Sequence, residues 1–192
     1  MSDPFLTVTP VSTEQGAMTE TLKAALQQRQ NKVYSRDEVG NERLTFRLEL
    51  ARMMREESRR YKQPNLPVSD DEHCAAIRRI SDSLSARFGE ILKGGRFRYG
   101  TSQKAFNLYL KFLWRLGALG DGQPPHCPVD GIVLNTAGLT GSWTWSDDDQ
   151  EYRHWINEIR KNAAPRTLAD WEYETWLASQ SSTVRTAARS CA

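Results

Sequence analysis

RYGTSQKAFNLYLKFLWRLG, Arg98 to Gly117, is the stretch on which the fold turns. A turn carrying Gly100, Thr101 and Ser102 delivers Lys104, and from Ala105 to Leu116 the chain is apolar with few breaks. Such a run, longer than a strand and apolar nearly all round, predicts a helix at the centre of a core, beginning at about Ser102 or Gln103. Lys104 then heads that helix, where the macrodipole disfavours a cation. A lysine in that position is either a surface charge or a reagent.

Outward from this helix, helix starts recur. Ser35 with Glu38, Ser69 with Glu72, Ser146 with Asp149 and Thr167 with Asp170 each place a hydroxyl three residues before a carboxylate. That is the capping-box spacing, in a weaker form where the second residue is Asp. Apolar residues follow at three-to-four spacing: Ile77, Ile80, Leu84, Phe88 and Ile91 after Ser69, and Tyr152, Trp155 and Ile159 after Ser146. The segment from Arg36 to Tyr61 predicts a densely charged helix with a thin apolar stripe at Leu44, Leu48 and Ala51, its RMMREESRRYK face turned to solvent. KQPNLPVSD (Lys62–Asp70) is a proline-bounded connector, GIVL (Gly131–Leu134) is a weak strand signal, and no repeat is visible. The expectation is an all-α fold, one compact domain of about six or seven helices over residues 19–178. Residues 1–18, polar with Pro4 and Pro10, are expected to form a flexible arm, and residues 179–192 a frayed tail.

Composition narrows the function classes. The 192 residues suffice for a real core, and a formal charge of +2 means that any basic surface is local. Three cysteines, Cys74, Cys127 and Cys191, are too scattered for a disulfide framework and fit a reducing compartment. No apolar run reaches the roughly 18 residues of a membrane span, and MSDPFLTVTP lacks the layout of a secretion signal, so the expected location is cytoplasmic with no membrane partner.

The segment Ser69–Lys93 predicts a helix stopped by Gly94-Gly95; a short hairpin, RFRYGTS, leads into the apolar helix, the whole motif spanning residues 94–104. Backbone N–H groups at such a helix start can hold a phosphate. Lys93, Arg96 and Arg98 surround it with positive charge, and Phe97 and Tyr99 interleave with them, a pattern suited to nucleic acid. Further on, QPPHCPVDGIVL (Gln123–Leu134) brings Asp130 after a stiff approach.

Gly-Thr-Ser-Gln-Lys, an apolar helix and then Pro-Val-Asp together resemble the helix-hairpin-helix DNA glycosylase superfamily, over about Gly94 to Leu134. Gly100 matches the hairpin's first glycine, Lys104 its lysine and Asp130 the aspartate, while Ser102 stands where the second glycine would be. The loop GALGDGQPP lengthens the interval from lysine to aspartate, and no four-cysteine cluster follows, which excludes the iron–sulfur branch. The resemblance implies base-excision repair: a DNA glycosylase, hydrolase and lyase without a cofactor, acting on double-stranded DNA that carries a modified base. In that role Lys104 is the nucleophile, Asp130 stabilises the charge on the sugar, and Arg96, Arg98, Tyr99, Gly100, Thr101 and Ser102 hold DNA.

Trp143 and Trp145, in GSWTWSDDD ahead of a helix, are candidates for stacking on a base, against the plainer role of anchoring their loop. Trp171 and Trp176 are spaced for a buried stripe. The pairs His73-Cys74 and His126-Cys127 offer four potential zinc ligands, but neither shows finger or ribbon spacing, and no metal is expected. Two other functions fit the same sequence: a non-catalytic helix-hairpin-helix DNA-binding protein of repair or defence, and a helical interaction protein that meets its partner through Arg36–Tyr61.

Overall fold

A computed structural model describes residues 11–26, 33–35, 40–63 and 67–189. Among these residues the chain is all-α, with seven helices: α1 (Glu14–Leu26), α2 (Gly40–Ser58), α3 (Asp70–Phe88), α4 (Tyr99–Arg115), α5 (Gly131–Thr136), α6 (Asp149–Ala163) and α7 (Leu168–Arg189). No described residue belongs to a strand; one isolated antiparallel bridge joins Tyr34 to Leu92. No described helix is long and apolar enough to cross a membrane.

Helix α4 is the axis. Thirteen of its seventeen residues are buried, as its near-continuous apolar sequence requires. Helices α1, α2 and α3 contact it directly, and α7 packs on α5 and α6. Phe46 of α2 sits edge-to-face with Tyr34, Phe88 and Phe97 at 5.6, 5.4 and 5.3 Å, tying the bridge, the end of α3 and the entry to α4 into one aromatic cluster. Each such contact contributes about 0.5–1.5 kcal/mol beyond burial.

The capping boxes divide. Ser69 caps α3 as expected: its Oγ accepts from Glu72 N, while the Glu72 carboxylate accepts from Ser69 N at 3.0 Å. Thr167 likewise accepts from Asp170 N at the head of α7. Ser146 does not cap α6. It is buried against α4, and Asp148 caps instead, accepting from Gln150 N at 2.8 Å. The Ser35–Glu38 box reaches residues 36–38, outside the described set.

Several boundaries move. Helix α1 begins at Glu14 and buries Ala17 and Met18, so residues 14–18 are helical rather than part of the flexible arm expected there. Helix α2 buries Phe46, Leu50 and Met54; of the expected stripe Leu44, Leu48 and Ala51, Ala51 is buried but Leu44 and Leu48 are exposed, because Phe46 outweighs them in apolar area. Helix α3 ends at Phe88, before the glycine pair, which forms its own 3-10 turn, Lys93–Gly95, with Gly94 and Gly95 at φ 68° and 72°. GIVL is helical rather than extended, because Asp130 caps it. Helix α7 continues to Arg189, past the point at which the tail was expected to fray.

Candidate functional site

Lys104 and Asp130, 26 residues apart, meet. The ammonium donates to Asp130 Oδ2 at 3.0 Å, with side chains 14% and 23% exposed, so the pair is half-sheltered but open to one side. Oδ1 of the same carboxylate accepts from Ile132 N and Val133 N at 3.0 and 3.2 Å and so caps α5. The ring of Trp143 lies 4.7 Å from the Lys104 ammonium, a cation–π contact. One amine, one carboxylate and one indole therefore share a corner between the start of α4, the start of α5 and the turn ahead of α6.

Gln103 sets this register. Its side chain donates to Val129 O at 2.7 Å and accepts from Val129 N at 3.1 Å. The residue before Lys104 thus grips the residue before Asp130 by both backbone groups, as a β-bridge would.

The hairpin is built otherwise than expected. Helix α4 starts at Tyr99, so Tyr99 to Ser102 form its first turn rather than a loop before it. Tyr99 N donates to Asp147 Oδ1 and Gly100 N to Ser146 O, both at 2.9 Å, while the N–H groups of Thr101 and Ser102 turn back to Arg98 O. The anion expected at this helix start is therefore supplied internally, by Asp147. Gly100 is required by packing: a Cβ there would lie 1.6 Å from Trp143 O. Tyr99 and Ser102 are fully buried, Ser102 donating to Ile77 O, and Phe97 is core. Burial pushes the Tyr99 phenol far above its ordinary range. Arg96 is held by Asp82 and Asp147. Of the residues expected to hold DNA, Arg98 keeps a solvent-facing charge. Its guanidinium lies 4.1 Å from the Trp145 ring centre and the Lys93 ammonium 4.8 Å from it, with Trp145 47% exposed.

Sequence reasoning missed a polar network inside the core. His73 Nδ1 meets Tyr61 OH at 2.7 Å and His73 Nε2 meets Asn107 Oδ1 at 2.8 Å. Asn107 Nδ2 reaches Gln103 Oε1, Cys127 O and the Tyr152 hydroxyl, which meets His126 Nδ1 at 2.9 Å. Because the Asn107 amide nitrogen is the donor, its oxygen must accept from His73, which fixes His73 as the Nε2–H tautomer. Next to His126 Nε2, Asp70 Oδ1 stands 3.1 Å away, close but poorly aligned. Desolvation drives the His73 imidazole well below its ordinary value and lowers His126 too. His126, then Arg160, hold the Asp70 carboxyl well below the carboxylate range. His73, His126 and the Cys127 carbonyl thus serve this network, and among the described residues no group of three or more His, Cys, Asp or Glu is placed to hold a metal ion. The available signal was Gln103 and Asn107 four residues apart on a largely apolar helix.

A second buried pair escaped notice. Lys111 reaches Glu172 Oε2 at 2.7 Å, both nearly inaccessible, and fastens α7 to the axis. Trp171 is buried, whereas Trp176 is only partly so, 5.2 Å from the Lys111 ammonium.

Comparison with protein families, with curated proteins and with solved structures finds no match to this chain.

Proposed function

We propose that this chain is a DNA glycosylase with associated lyase chemistry, working through Lys104 and Asp130. The observation that carries the proposal is the 3.0 Å approach of a primary amine to a carboxylate across the interval between α4 and α5, at an open corner beside Trp143. A damaged or mispaired base is the cheapest to extrude, at a few kcal/mol, and so selects itself. As the C1′–N bond breaks, the bonding electrons leave with the base, which takes up a proton, and the Asp130 carboxylate faces the positive charge left on the sugar. Lys104, having given up a proton, forms the new bond to C1′. Opening of the sugar ring gives an imine, and loss of a C2′ proton then expels the 3′ phosphate.

A second reading has its own support. Asp130 also caps α5, and Asp147 already occupies the start of α4, so Lys104–Asp130 serves equally as a lock in a non-catalytic DNA-binding module. The two are separated by assaying base release from duplexes carrying a panel of lesions. Excision predicts release from at least one lesion by the wild type and loss of that release in Asp130→Asn, in which asparagine keeps the helix cap. Unchanged folding, with no release from any lesion by either protein, assigns the pair to the lock.

A further inference from the structure

Next to the closed hairpin lies a small cleft that the excision chemistry does not use. Lys93, Arg96, Arg98, Thr101 and Thr144 line it with Val33 and Phe97, and among the described residues no carboxylate is in its walls. Arg96 is neutralised from behind by Asp82 and Asp147. Lys93 and Arg98 have no carboxylate partner among the described residues; each is steadied by the Trp145 ring instead. Thr101 is more than nine-tenths buried, yet its hydroxyl makes no hydrogen bond among the described residues. That hydroxyl borders the cleft, so its donor is available to a ligand. The volume, about 20 Å³, is close to what one water molecule occupies, too small for a planar base but able to take an oxygen edge of a compact anion.

We propose that this cleft binds one phosphate group. Lys93 and Arg98 supply the charge, the Thr101 hydroxyl donates to one oxygen, and Trp145 holds the two cations in position. The contact is made by side chains, in place of the backbone cradle that Asp147 fills. As an anion site it is independent of base excision. It rests on the excision proposal only for the identity of the phosphate, which is then a phosphodiester of the bound strand.

The test is a titration of the uniformly ¹⁵N-labelled full chain, following the Trp145 indole N–H and the Thr101 amide. The probes are inorganic phosphate, a dinucleoside monophosphate and an unphosphorylated nucleoside. Both phosphates should give saturable shifts with dissociation constants on the order of millimolar. Arg98→Ala and Lys93→Gln should each weaken binding about tenfold and the isosteric Thr101→Val about threefold, with thermal midpoints confirming that the variants fold. Inorganic phosphate binding without the dinucleotide keeps the site but removes its link to a strand. The proposal is overturned by the absence of any saturable shift, by a nucleoside that binds as tightly as the phosphates, or by a folded Arg98→Ala that titrates like the wild type. No step of the titration depends on catalysis, so an inactive protein that binds phosphate refutes excision alone.

Discussion

Gly100→Ala probes the corner most sharply, because two effects of opposite sign meet there. In an open helical position alanine stabilises by about 1 kcal/mol relative to glycine. Here the added Cβ would lie 1.6 Å from Trp143 O, 2.8 Å from Trp143 C and 3.2 Å from Ser146 O, all backbone atoms that cannot swing aside. The turn Trp143–Ser146 must lift, breaking the 2.9 Å bond from Gly100 N to Ser146 O and drawing Trp143 away from Lys104. Overpacking costs about 1–3 kcal/mol and the lost hydrogen bond about 1 kcal/mol. Less the helix gain, the net is a destabilisation of about 1–3 kcal/mol. For a chain of this length that lowers the thermal midpoint by roughly 2–12 °C. Thermal and urea unfolding, with Trp143 indole shifts as a local reporter, measure both parts. A midpoint equal to or above the wild type would refute the packing argument.

Lys111→Met should cost about 3–5 kcal/mol in urea unfolding, because it strands a buried Glu172 carboxylate, and Lys111→Met with Glu172→Leu should recover most of it; a double variant no better than the single would contradict this. Stability should fall as pH drops from 7.5 to 5.5: the unfolded chain takes up protons near the ordinary histidine value of about 6.5, while His73 and His126, held neutral by burial, do not. Glu172, pushed up by burial, acts in the opposite sense as pH falls, so a higher urea midpoint at 5.5 than at 7.5 would show that the histidines do not govern this window. Asp130→Ala should lower stability by about 1 kcal/mol through the lost cap, and Asp130→Asn by only a few tenths, judged by chemical denaturation; equal losses would mean that the cap on α5 contributes little.

The helical class was readable because α4 carries a long, mostly apolar run from Ala105 to Trp114 and because Ser69 and Thr167 mark true starts. Phase on α2 was harder: charged residues crowd both faces, and Phe46, not the Leu44–Leu48 pair, decides which face turns inward. Lys104 and Asp130 could be named from their residue types, but their approach depends on Gln103 gripping Val129, a contact that no spacing announces. The closure of the hairpin was not legible either, since Asp147 lies 48 residues from the Tyr99 N–H it occupies. Local signals placed the elements; side-chain to backbone bonds between remote segments built the corner.

Borohydride trapping on lesion-containing duplexes, with the adduct mapped by peptide mass spectrometry, tests the assignment of Lys104 most directly. A covalent DNA adduct on Lys104, absent from folded Lys104→Ala, is the predicted result. A folded wild-type protein that forms no adduct with any lesion, or forms one on another lysine, would contradict it.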